Sequence, residues 1–157
     1  MGTALNAYRR FRELLLAGAY ARLGEVADEG WVENCVGLTG WTSGLDIACA
    51  NFAAGIGRAF SAIDAEELDV LEKEDAVVIR GGTTAVHSGA FAGVAPTGRR
   101  VSWEFVDMYR VGADGRINWH FFVTDWNHVR LQLLGEAPDL PATPTRRAVQ
   151  AEIAERR

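Results

Sequence analysis

The sequence predicts an α+β domain, with helices first and a run of antiparallel strands after them. Two observations carry this expectation. The stretch from Ala76 to Trp126 reads as strands separated by turns and is the part richest in aromatic side chains. Ahead of it, Leu45, Ala48, Cys49, Phe52, Ile56, Ala59, Phe60 and Ile63 form one apolar stripe at helical spacing. A long curved sheet with N-terminal helices packed on its concave face makes a cone whose mouth can hold a small molecule.

The elements follow in order. Leu5, Tyr8, Phe11 and Leu15 predict a first helix over 5–16, with Arg9, Arg10 and Arg12 mostly on its outer face. Ala19 to Ala27 continues as a second short helix, and Trp31 to Val36 reads as a short strand. Gly37 to Gly44 is expected to be a loop with Trp41 in its middle. Ser43, with Asp46 three residues on, predicts a capped start for the core helix that runs to Ile63. Asp64 to Glu67 reads as a turn and Leu68 to Glu72 as a strand. Ala76 to Arg80 is another strand, interrupted at Gly81-Gly82 and resumed over Thr83 to Ala90. Gly93 to Gly98 turns the chain into a long strand, Val101 to Val111. Gly112 to Gly115 is a hairpin turn, Arg116 to Trp126 its partner strand, and Val129 to Leu134 a short helical turn. Residues 1–135 form one domain. Residues 136–157, with Pro138, Pro141 and Pro144, form an extension that is extended or partly helical.

Composition excludes several functions. The chain has 157 residues and a net charge of −5, and Lys73 is its single lysine, so no basic surface for nucleic acid emerges. The most apolar stretch, Ile47 to Gly57, is too short to cross a bilayer. Arg9, Arg10, Arg12 and Glu13 interrupt any apolar leader, which makes the cytoplasm the expected compartment. Cys35 and Cys49 lack CxxC or His-Cys spacing and are expected to be reduced. Three scattered histidines without carboxylates at ligand spacing predict no metal site, and no phosphate loop or nucleophile elbow is present.

Strand alternation sorts the candidate chemistry. Trp103, Phe105, Asp107 and Tyr109 share one face of their strand; Asn118, His120, Phe122 and Thr124 share one face of the next. His120 can both take and give a proton near neutral pH, or serve as a hydrogen-bonded structural histidine. Asp107 in an apolar strand is either a general base or a structural partner of Arg110. Asp125 is either a carboxylate at the strand end or the cap of the following helical turn. His87 falls at a strand end, where a structural or rim role competes with catalysis. Trp41 is the tryptophan placed to stack on a flat polycyclic ligand at the cone mouth.

A family resemblance rests on particular runs. His87 to Val101, with its Pro96-Thr97-Gly98-Arg99 turn, then Val106-Asp107-Met108-Tyr109-Arg110, then Asp114-Gly115-Arg116-Ile117 and His120, resembles the SnoaL-like polyketide cyclases. These belong to the NTF2-like superfamily of cone-shaped α+β barrels, and the likeness extends from about Ala7 to Gly135. It implies a cofactor-free, homodimeric enzyme that closes a ring in a hydrophobic polyketide, with an Asp–His pair moving the proton. Departures accompany it. Phe122 stands where the family keeps a carboxylate, Met108 where it has a histidine, Asn34 near the mouth, and Gly81 in place of a bulky aromatic, which would widen the pocket. On that alignment the standard acid/base is absent. Trp41, Asn34, Trp103, Met108, Phe122 and His87 are the expected substrate-binding positions, and His120, Asp107 and Asp125 the catalytic ones. A non-catalytic binder on the same fold is one alternative. An epoxide-opening or hydroxylating enzyme is another, for which only Asp107, Arg110 and Asp125 could supply an Asp-Arg-Asp relay.

Overall fold

A computed structural model describes residues 3–137. Helix α1 (Thr3–Leu16) leads through a 3-10 turn at Tyr20–Glu25 into strands β1 (Ala27–Cys35) and β2 (Gly40–Ser43). Helices α2 (Leu45–Ala54) and α3 (Ile56–Ala59) follow. Then come β3 (Phe60–Lys73), β4 (Ala76–His87), β5 (Arg100–Val111), β6 (Ile117–Thr124) and helix α4 (Trp126–Leu134). The six strands form one sheet in the order β2-β1-β6-β5-β4-β3, antiparallel throughout except that β1 runs parallel to β6. Residues 138–157, including Pro138, Pro141 and Pro144, lie outside the described residues.

The inner face of the sheet follows from period-2 alternation. On β4 the residues Val77, Ile79, Thr83, Ala85 and His87 are buried; on β5 they are Val101, Trp103, Phe105, Asp107, Tyr109 and Val111. Helix α1 lays Tyr8, Phe11 and Leu14 on this face, each at most 5% exposed. Phe11 stacks on Trp31 at 5.0 Å and Tyr8 meets Tyr109 at 5.1 Å. Each such aromatic contributes roughly 1.5–3 kcal/mol by leaving water, so α1 is held mainly by its aromatic stripe. At the far end Gln132 on α4 ties the helix to β5: its amide donates to the Ser102 carbonyl at 2.7 Å and accepts from the Ser102 N–H at 2.8 Å.

Several local expectations are corrected. The stripe from Leu45 to Ile63 is one helix only as far as Ala54. Gly55 breaks it, α3 adds a single turn, and Phe60 and Ile63 belong to β3, where pairing with β4 outweighs helical periodicity. Gly44 rather than Ser43 caps α2; its φ of 101° suits glycine, and its N–H donates to the Trp31 carbonyl. Asp64 to Glu67 is strand, because it pairs with Gly81 to Thr84 of β4; on this edge strand Glu67 forms an ion pair with Arg9. The expected loop around Trp41 contains β2. Asn118 does not share the face of His120. A register shift opposite Val111 leaves Ile117 and His120 buried and Asn118 exposed.

Gly81 also behaves differently from expectation. β4 runs through it unbroken against β5, and a Cβ placed there would lie 2.2 Å from the Phe105 ring. The room that glycine leaves is filled by Phe105, so it does not widen the pocket.

Candidate active site

Between α1, α2 and the inner face of the sheet lies a largely apolar cavity of about 150 Å³. Four polar residues of its lining, Glu33, Asp107, Tyr109 and His120, are brought together by β1, β5 and β6. Three strands contribute because β6 sits between β1 and β5; Tyr109 lies opposite His120 in one pairing and Glu33 opposite it in the other.

His120 is bonded at both ring nitrogens. Nε2 lies 2.7 Å from Asp107 Oδ1 and Nδ1 lies 3.1 Å from Glu33 Oε2. A neutral imidazole has one N–H, whereas two carboxylate acceptors require two, so this geometry selects the imidazolium. The carboxylates are fixed in turn. The Tyr109 hydroxyl donates to Asp107 Oδ2 at 3.0 Å. The Trp31 indole donates to Glu33 Oε2 at 3.2 Å, and the Thr42 hydroxyl to Glu33 Oε1 at 2.9 Å. The Tyr109 ring stacks on the His120 ring at 4.6 Å. All three charged side chains are nearly buried: Glu33 is 5%, Asp107 7% and His120 8% exposed.

Electrostatics agree with this geometry. Burial disfavours charge on His120, but Asp107 first and Glu33 second overcome it and raise its pKa to about 9. Burial likewise opposes ionisation of Glu33, yet the His120 hydrogen bond and charge hold its carboxyl below the usual range. Burial, then the Asp107 charge, pushes Tyr109 far above the ordinary phenol value, so it stays a donor. The Cys35 thiol is pushed up to about 12, by burial and then by Glu33.

The sequence profile of the SnoaL-like polyketide cyclases matches residues 5–133. The chain belongs to that family. Among solved structures, IdmH from Streptomyces antibioticus, a proposed polyketide cyclase, is 27% identical with a TM-score of 0.65, covering 83% of this chain and 96% of its own. AclR from Streptomyces galilaeus, a proposed hydroxylase, is 25% identical with a TM-score of 0.64, covering 94% and 92%. An LEH-like epoxide hydrolase of M. tuberculosis, 16% identical with a TM-score of 0.64 over 98% and 96%, shares the fold. No curated protein matches the sequence. The matches support a small-molecule enzyme of NTF2-like fold.

Within this SnoaL-like frame the expected site residues separate. His120 and Asp107 come together in the cavity, and Trp103 and Phe122 line it. Asp107 is not the partner of Arg110, which lies on the opposite face with its guanidinium 3.5 Å from Asp75. Asp125 caps α4, accepting the His128 N–H at 2.9 Å, and does not line the cavity. An Asp107-Arg110-Asp125 relay is therefore not assembled. Met108 points to the outer face because alternation sets it opposite Asp107. Asn34, between Glu33 and Cys35 on β1, likewise falls outside the lining. Trp41 is 65% exposed on edge strand β2 and does not reach the cavity. His87 is fully buried beneath the β4–β5 connection, bonded to Thr97, away from the cavity lining.

Glu33 is the residue that strand sorting missed. The only available signal was its position two residues after Trp31, which places it on the same face as a buried tryptophan. Glu33, Cys35 and His120 also have ligand atoms within 4.8 Å of one another. Their donors are committed: both Glu33 oxygens accept hydrogen bonds, and His120 Nδ1 faces Glu33. A cation there would have to dismantle the network. Among the described residues no helix is long and apolar enough to cross a membrane.

Proposed function

We propose that this protein catalyses proton transfer in a hydrophobic, polyketide-like small molecule, without metal or organic cofactor, closing or isomerising a ring. The observation that carries the reading is the 2.7 Å contact between His120 Nε2 and Asp107 Oδ1 in a largely apolar cavity. The Asp107 carboxylate takes a proton from a carbon next to a carbonyl, leaving an enolate. The enolate carbon bonds to a second carbonyl carbon, and the oxygen that gains the electron pair takes the proton back from Asp107. Atoms and charge balance with nothing added. His120, held cationic by Asp107 and Glu33, fixes the Asp107 carboxylate through Nε2, and its positive charge, without a hydrogen bond of its own, favours the developing oxyanion. Asp125 serves α4 rather than the reaction.

The test is an intramolecular aldol closure of an aryl-linked diketone, followed with purified wild-type protein and Asp107→Asn. A rate loss of about 10²–10⁴-fold is expected for a positioned acid/base. Closure at an equal rate in both proteins would sink the reading. The expected homodimer would use the outer sheet face, where Trp119 and Phe121 stack at 6.3 Å and Leu71 is 64% exposed. Sedimentation velocity gives the mass that decides this.

A further inference from the structure

We propose that Arg12 is an anion-binding subsite in the cavity wall, and that the substrate is an apolar ring system carrying one acidic group such as a carboxylate. This rests on the small-molecule reading of the cavity and adds to it the chemical class of the ligand.

Arg12 lines the cavity from α1, one helical turn beyond Tyr8, beside Ala65 on β3. Among the lining residues it alone carries a permanent positive charge. Its side chain is 28% exposed, so water and ligand can reach it. Nη2 donates to the Ala65 carbonyl, a neutral acceptor. Its carboxylate neighbour is Glu67, 3.8 Å from Nη1, and Arg9 already grips both Glu67 oxygens, at 3.3 and 2.8 Å. A guanidinium has five N–H donors, so Arg12, which shares Glu67 with Arg9 across a long 3.8 Å contact, can still donate to a ligand.

The group around His120 has the opposite polarity. Glu33 and Asp107 outnumber the single imidazolium of His120. The Tyr8 hydroxyl lies under both influences: burial first and the Asp107 charge second raise its pKa, while Arg12 opposes them. An acidic substrate is thus repelled from that group and drawn to Arg12. That directs its neutral, carbonyl-bearing part toward Asp107, the orientation proton transfer needs. A guanidinium–carboxylate bond at the border of an apolar cavity is also among the stronger polar contacts a ligand can make.

The probes are 2-naphthoate and its neutral isostere 2-naphthamide, titrated at pH 7 against full-length protein by NMR. Wild type is expected to bind the acid about 10-fold more tightly than the amide, the ratio equivalent to one 1.4 kcal/mol contact. Arg12→Gln should remove that ratio while leaving amide binding intact, and Arg12→Lys should keep most of it. Equal affinities in wild type, or an acid preference that survives in Arg12→Gln, would overturn the proposal. Should Arg12→Gln lose both ligands, Arg12→Lys decides: a retained preference upholds the subsite and a lost one overturns it. Because the readout is a ratio of binding constants, it is independent of whether Asp107 moves a proton.

Discussion

His120 and His87 are both buried histidines on the inner face of one sheet, with exposures of 8% and 0%. Their neighbours make them opposites. His120 faces a carboxylate at each nitrogen and is held protonated. His87 receives the Thr97 N–H at Nδ1, at 3.2 Å, which places its proton on Nε2, where no hydrogen-bond partner lies among the described residues. Burial then pushes the His87 pKa down, with no carboxylate to oppose it. One histidine carries a charge into a cavity; the other, neutral, pins the connection between β4 and β5. Burial alone therefore says nothing about a histidine's role, and its hydrogen-bond partners decide it.

The contrast is most strongly broken by removing a carboxylate. Besides its effect on rate, Asp107→Asn should bring the His120 titration well below its wild-type value, read from the imidazole NMR signals, while His87 stays unmoved. Glu33→Gln should lower the same titration and slow the reaction less than Asp107→Asn, because it leaves the Nε2 contact in place. An unchanged His120 titration in both variants would mean the two carboxylates do not hold its charge.

Stability against pH separates the two histidines next. His120 has a folded pKa raised from 6.5 to about 9. Its contribution is complete below about 6.5 and is lost as pH rises through about 9, amounting to at most ~3 kcal/mol. His87 has a lowered folded pKa, so its contribution holds above the unfolded value and is lost as pH falls below about 6.5. Urea unfolding across pH 5–10 should show the alkaline loss shrink in Asp107→Asn and the acid loss shrink in His87→Gln. A smaller effect checks the remaining carboxylate. Asp125→Ala should cost about 1 kcal/mol through its lost cap, seen as a few degrees in Tm, with the aldol rate unchanged. A rate loss matching that of Asp107→Asn would return Asp125 to the chemistry.

Much of the fold was legible in the residues, and the site only partly. The 112–115 turn, the alternation of Val101 to Val111 and the helical spacing of Leu5 to Leu15 are local signals and predicted their elements. The errors arose where long-range pairing overrode local preference. Phe60 and Ile63 continue a helical stripe in sequence but lie on β3 because β4 supplies a ladder. Trp41 looked like a mouth residue, but it lies on an edge strand whose position depends on β1. Phe122 suggested a missing carboxylate, whereas Asp107 and Glu33 provide two from other strands.

By itself the sequence determined the α+β order, the inward face of β5 and the nomination of His120 and Asp107, because periodicity and side-chain chemistry are local properties. Only the tertiary structure decided that Glu33 completes the group, that Asp125 caps α4 and His87 bonds Thr97 away from the cavity, and that Arg12 faces the cavity. Those outcomes depend on which strands become neighbours. Glu33 and His120 are 87 residues apart in sequence and 3.1 Å apart in space because β1 lies parallel to β6.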